Sequence, residues 1–190
     1  MARDSAFNRP GGSVPIDSSD PRSAGFVRVT LMTEVRPELP ASLADAIIVG
    51  TISSVQPYLS QNHTLIYSEL SVHVENIIDQ IASIPTKTDI TIDQIGGSAL
   101  LPGGRILRTA ISGLGSALAN GGRYLFFMKY LATTDAYSIV KAWDLTTGKA
   151  KAMAADDLGR VGSHVSQYDG MDAQAFLSLA SQLKAGNTRP

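Results

Sequence analysis

The chain contains no cysteine. That absence excludes disulfide scaffolds, thiol nucleophiles, iron–sulfur clusters and thiolate zinc sites together. Charge is also scarce, at 17% of the residues with a formal sum of −1, against roughly 25% in an average soluble protein. With no excess of either sign, nothing draws the chain to phosphate backbones or anionic lipid, and nucleic acid is not an expected partner. Histidine occurs only at His63, His73 and His164, which leaves little imidazole for acid–base or metal chemistry. No run approaches the roughly 20 apolar residues that span a bilayer. The opening MARDSAFNRP lacks the positive and then apolar segments of a signal peptide. Low charge, no cysteine and abundant Ser, Thr and Gly favour a secreted or cell-surface protein.

What is present is a hydrophobic fraction of 44% in 190 residues, enough for one domain and a tail. Residues 1–24 are rich in Ser, Asp, Arg, Pro and Gly and show no apolar periodicity, so they read as an extended arm. An arm without a core of its own is expected to be held by a neighbouring subunit. From Phe26 the pattern turns to period two: Val27, Val29, Leu31 and Val35 alternate with Arg28, Thr30 and Glu34, which predicts a strand with one buried face. Arg36-Pro37-Glu38-Leu39-Pro40 ends it, and a turn with a short helix over Ser42–Asp45 follows.

Ala46–Val55 reads as a central strand buried on both faces in its first half, with a bulge or close backbone approach at Gly50. After a loop over Gln56–His63, Leu65–Ile77 alternates Ile66, Leu70, Val72 and Val74 with a wet face of Tyr67, Glu69, Ser71, His73 and Glu75. Asp89–Ile95 is a third strand, ended by Gly96-Gly97. A glycine-rich crossover then holds a small strand at Ile106–Ile111. Arg123–Leu131 and Tyr137–Trp143 read as a hairpin across the turn at Thr133–Asp135, and Thr146–Lys149 turns into a short strand near Ala150–Met153. From Met171 to Lys184 the period becomes helical, with Phe176, Leu179, Ala180 and Leu183 inward, Asp169 or Asp172 as N-cap and Gly186 past the end. This divides the chain into an arm (1–24), a β domain (25–160) and a C-terminal helix with its tail (161–190).

The series Ala44-Asp45-Ala46-Ile47-Ile48-Val49-Gly50, then Tyr67–Glu75, Gly122-Arg123-Tyr124-Leu125-Phe126-Phe127 and Tyr137–Trp143, resembles the netrin-like module of tissue inhibitors of metalloproteinases. It is similar as well to a group of uncharacterised, exported bacterial proteins. The resemblance covers residues 44–153 and implies a mainly β fold, an OB-type barrel of five to six strands with a flanking helix. Those inhibitors act through an N-terminal cysteine held by disulfides. This chain has none, so their inhibitory residues carry over to no position here.

Few side chains form a catalytic pattern. Glu69, His73 and Glu75, at even spacing on one strand face, are the candidates for a carboxylate–imidazole metal site, against the plainer reading of a solvated strand face. His164 with Asp156 or Asp157 is the other acid–base candidate. The G-x-S-x-G elbow fails at Leu100, and Gly113-Leu-Gly115-Ser-Ala-Leu118 lacks the final glycine and the α/β setting of a dinucleotide loop. Gly148-Lys149 lacks the rest of a phosphate loop. Asn62-His63-Thr64 fits a glycosylation acceptor and reads as an ordinary loop triplet. Tyr124, Phe126, Met128, Tyr130, Tyr137 and Trp143 form an aromatic cluster, suited to core packing or to stacking a ligand.

The expectation is therefore a non-enzymatic module without cofactor. It self-assembles as a homo-oligomer or filament through its arm or the strand bearing Phe26, Val27, Val29, Leu31 and Val35. The rival expectation is a monomeric binding or inhibitor module for a protease or glycan, acting through the barrel face and the loops 56–63 and 96–104.

Overall fold

The computed structural model describes residues 26–29, 37–59, 66–81, 87–100, 106–111, 118–153 and 166–183. The arm, Leu31, Val35, Asn62, His63, Asp156, Asp157, His164 and Gly186 lie outside the described residues. The fold is mainly β. Six strands form one sheet: β2 (Ala46–Leu59), β3 (Ile66–Gln80), β4 (Asp89–Ile95), β7 (Arg123–Leu131), β8 (Ala136–Asp144) and β9 (Lys151–Ala152). Their order is β4-β3-β2-β7-β8-β9, and β4 also pairs in parallel with β8 at Ile92 and Tyr137. A second sheet of three strands has the order β1-β6-β5, from β1 (Phe26–Val29), β6 (Ile106–Ile111) and β5 (Gly97–Leu100). One helix, α1 (Ala173–Ala180), closes the described chain.

Hydrophobic patterning places the sheet between two cores. Ala46 and Ile48 of β2 and Tyr124, Phe126 and Met128 of β7 face one cluster, with Leu70, Val72 and Ile92. Their chain neighbours Ile47, Val49, Leu125 and Phe127 face the other, with Trp143 and Phe176. That explains the unbroken apolar runs AIIV and YLFFM, since a strand covered on both sides cannot alternate. β7 stays beside β2 only from Ala46 to Thr51. Beyond that point β2 keeps β3 alone, and its burial falls away.

Register shifts in the β2–β3 pair fall at Ile47/Ile48, Val49/Gly50 and Ile52/Ser54. Bulges of this kind bend a long hairpin. Gly50 stands at one of them, where a Cβ would lie 2.6 Å from Val72 Cγ1 and 2.8 Å from the His73 carbonyl oxygen. The close approach expected at Gly50 is therefore present.

Several expected boundaries move. Gln56–Leu59 are strand rather than loop, because Gln56, Pro57, Tyr58 and Leu59 pair with Glu69, Ser68, Tyr67 and Ile66. Tyr67, expected on the wet face, is buried and stacks on Tyr58 at 5.4 Å and 19°. Strand β5 was not expected after Gly96. The short helical turn falls at Ala41–Leu43, not Ser42–Asp45.

Helix α1 is shorter than its sequence pattern. Asp172 caps it, accepting from the Gln174 and Ala175 amides at 2.9 and 3.0 Å, as the N-cap preference for Asp requires. Ala173, Phe176 and Ala180 are buried, but Leu179 is 40% exposed. The inward face is thus narrower than the one read from periodicity. The Ala150 amide donates to Met171 and the Gly170 amide to Ala150, both at 2.8 Å, and Ala152 donates to Asp169 Oδ1 at 2.6 Å. These bonds fix where α1 begins against β9.

Candidate functional site

The strand expected to engage a neighbour already has one partner within the chain. β1 runs parallel to β6, with Phe26, Val27, Arg28 and Val29 opposite Arg108, Thr109, Ala110 and Ile111. On its other side β6 pairs antiparallel with β5, from Gly97 opposite Thr109 to Leu100 opposite Ile106. β1 and β5 are thus the two outer strands of this sheet. Among the described residues, neither has a second hydrogen-bonded strand partner.

The candidate metal ligands go to separate partners. His73 Nδ1 lies 3.0 Å from Asp89 Oδ1 across the β3–β4 pair. Glu75 accepts from Thr51 Oγ1 at 2.5 Å and from Arg123 Nε at 2.7 Å. Glu69 stands in register with Gln56 and Asp93. Among the described residues, no group of three or more His, Asp or Glu gathers as a metal site.

Partial burial alone would raise the pKa of Glu75. The hydrogen bonds from Thr51 and Arg123, with the charges of Arg123 and His73, outweigh it and hold the carboxyl below its ordinary value. A carboxyl depressed by folding stabilises above its unfolded pKa, and that contribution is lost as pH falls through the folded pKa. Urea midpoints of the natural chain should therefore fall more steeply below about pH 4.5 than those of Glu75→Gln. Equal slopes in the two chains would show that Glu75 contributes nothing.

The aromatic cluster divides. Tyr124, Phe126 and Met128 are core on one side, and Trp143 is core on the other. Tyr137 belongs to the first of these cores and Tyr130 packs against it; the two rings meet at 5.3 Å with a 56° tilt and both line an open cleft of about 200 Å³. Across it, Asp135 in the β7–β8 turn holds φ of 49°, a left-handed conformation that Asp tolerates better than most residues. Each of its oxygens is engaged: Tyr130 Oη donates to Oδ1 at 2.9 Å, and Lys87 Nζ to Oδ2 at 2.6 Å. Asp89 and Thr134 complete the rim. The cleft opens at the Asp89 end of β4, whereas the described parts of the loops expected to bind, Gln56–Leu59 and Gly97–Leu100, are strands that lie towards its Ile95 end or follow it.

Sequence reading singled out both tyrosines but neither Lys87 nor Asp135. The available signal was an Asp closing a hairpin turn, a position that favours left-handed backbone. Compared with known proteins, the chain matches no family model, no curated protein and no solved structure.

Proposed function

We propose that this chain is a non-enzymatic assembly module, an OB-type barrel that joins its neighbours through the open edges of the small sheet. The observation that carries the reading is the strand order β1-β6-β5. An outer strand presents unpaired N–H and C=O groups, and a strand from another chain satisfies them with main-chain bonds. Two different outer strands on one sheet favour head-to-tail addition, β1 of one copy beside β5 of the next, which extends into a filament unless its rotation closes a ring.

The parallel Ile92–Tyr137 pairing between β4 and β8 supports the barrel half of the reading. Without β9, the larger sheet has the order β4-β3-β2-β7-β8, and that pair returns β8 to β4. The cluster around Ile48, Leu70, Ile92 and Phe126 is then the barrel interior, with α1 packed outside. The low charge of the chain suits an exported assembly, where few like charges repel.

The absence of cysteine makes the test clean. Arg28→Cys and Ala99→Cys place one thiol on each outer strand. Under mild oxidation the double variant is expected to give a ladder of disulfide-linked multimers, and each single variant far less. Monomer alone in the double variant, at concentrations where the natural chain is studied, would overturn the reading.

A further inference from the structure

We propose that Lys141 on β8 is a carbonyl-binding site, an amine that captures small neutral aldehydes as a Schiff base. The inference is independent of the assembly reading, since Lys141 stands on the six-stranded sheet and the assembly edges belong to the small one.

The placement of this lysine is the starting point. Lys141 stands opposite Phe127 and two residues before Trp143, both fully buried, so its stem lies on the apolar face that packs against α1. Among the described residues, Lys87, Lys129, Lys149 and Lys151 are exposed, and Lys141 alone of the lysines is half-buried. Lys87 is held by Asp135. Lys141 has no carboxylate within ion-pair distance among the described residues. Glu38 and Asp169 act on it from further away, and the Trp143 ring centroid lies 5.5 Å from its Nζ.

A Schiff base needs a neutral amine, whose lone pair attacks the carbonyl carbon. The carbinolamine then loses its hydroxyl as water and leaves a C=N bond, so one amine and one aldehyde give one imine and one water, with nothing oxidised or reduced. Burial penalises the ammonium and outweighs the Glu38 and Asp169 carboxylates, so Lys141 gives up its proton more readily than an exposed lysine. The surroundings also select the product. An amide would abolish the charge and leave no cation for the Trp143 face or for Glu38, whose Oε2 is buried without a hydrogen-bond partner among the described residues. A protonated imine keeps the charge and spreads it over C=N. It is less strongly hydrated than a compact ammonium, so burial costs it less. The two carboxylates oppose an anionic aldehyde, and half-burial admits only a small one.

The test is reductive trapping on the full chain, with propanal or glyoxylate and cyanoborohydride, followed by peptide mass spectrometry of all six lysines. With propanal near neutral pH, Lys141 is expected to be alkylated about threefold or more faster than Lys129, Lys149 or Lys151. The preference should shrink as pH rises towards about 10.4, where exposed lysines lose their protons too. It should vanish in urea and be weaker with the anionic glyoxylate. The single tryptophan gives a second readout: a benzaldehyde imine on Lys141 should quench Trp143 emission, and Lys141→Arg, which keeps the charge, should abolish that quenching. Circular dichroism checks that the variant is folded. The proposal is overturned if Lys141 of the folded chain reacts no faster than the three exposed lysines, or if its preference survives in urea. Glyoxylate preferring Lys141 as strongly as propanal, or quenching that persists in Lys141→Arg, would overturn it as well.

Discussion

Replacing Trp143 by alanine is expected to cost about 3–5 kcal/mol of stability, the usual range for deleting a large buried aromatic. Small domains hold only about 5–15 kcal/mol in total, so the loss is a large share of what keeps the chain folded. Trp143 is fully buried and joins four pieces of structure. Its ring lies 4.7 Å from Phe176 on α1 and 5.9 Å from Tyr168 in the turn before it. Its indole N–H donates to the Glu38 carbonyl at 3.3 Å, which pins the segment leading to the Ala41–Leu43 turn, and the side chain itself stands on β8. Lys141 Nζ sits 5.5 Å from the ring centroid, and its burial lowers the lysine pKa despite the nearby carboxylates of Glu38 and Asp169. Urea unfolding followed by far-ultraviolet circular dichroism measures the effect. Leu179→Ala, on the exposed side of the same helix, should change stability by no more than about 0.5 kcal/mol. A Trp143→Ala chain as stable as the natural one would mean that α1 does not dock on this core.

Gly50→Ala is the second large effect, expected at about 2–3 kcal/mol or more, the range for overpacking a filled core. The added methyl would meet Val72 Cγ1 at 2.6 Å and the His73 carbonyl oxygen at 2.8 Å. A side chain can turn aside, but the carbonyl belongs to the β2–β3 ladder and cannot move without opening it. Adding Val72→Ala to Gly50→Ala should therefore recover only part of the loss. Gly148→Ala makes the opposite case. Nothing lies within 4 Å of its Cβ position, but φ is +76°, so its cost of about 1–2 kcal/mol is conformational. If Gly50→Ala proved no more harmful than Gly148→Ala, the β2–β3 register at Gly50 would be wrong.

Local pattern made much of this fold legible before any coordinates. Strand β4 and strand β7 fall on the residues their alternation and aromatic content predict, and the β7–β8 hairpin and the Asp172 cap do as well. Two-sided burial of Ala46–Val49 was readable from its lack of polar residues. What escaped has a common cause in events that shift parity or join distant segments. In β8 the register slips between Phe127 and Met128, whose partners are Lys141 and Ile139. The extra residue, Val140, sends Tyr137 to one core and Trp143 to the other, although six residues of plain alternation would put them together. The β1–β6 pair joins residues about 80 positions apart, in parallel, and no turn signal announces such a pairing. Leu179 was misplaced because a helix face read from periodicity is wider than the surface the sheet offers it. The cleft was half legible: Tyr130 and Tyr137 stood out as aromatics, whereas Lys87 and Asp135 meet only when β4 comes to lie beside β8.

The assembly claim turns on the outward edge of β1, and successive strand residues point their N–H groups to opposite sides. Of Val27→Pro and Arg28→Pro, one therefore removes a donor from the open edge and the other a donor to β6. Light scattering of the full chain and these two variants, at matched concentration, is the most direct measurement. The account predicts a mass for the natural chain well above the 20.1 kDa of one copy. It also predicts that one of the two prolines gives single copies with an unchanged circular dichroism spectrum. A natural chain that runs as a single copy at every concentration tried would contradict it.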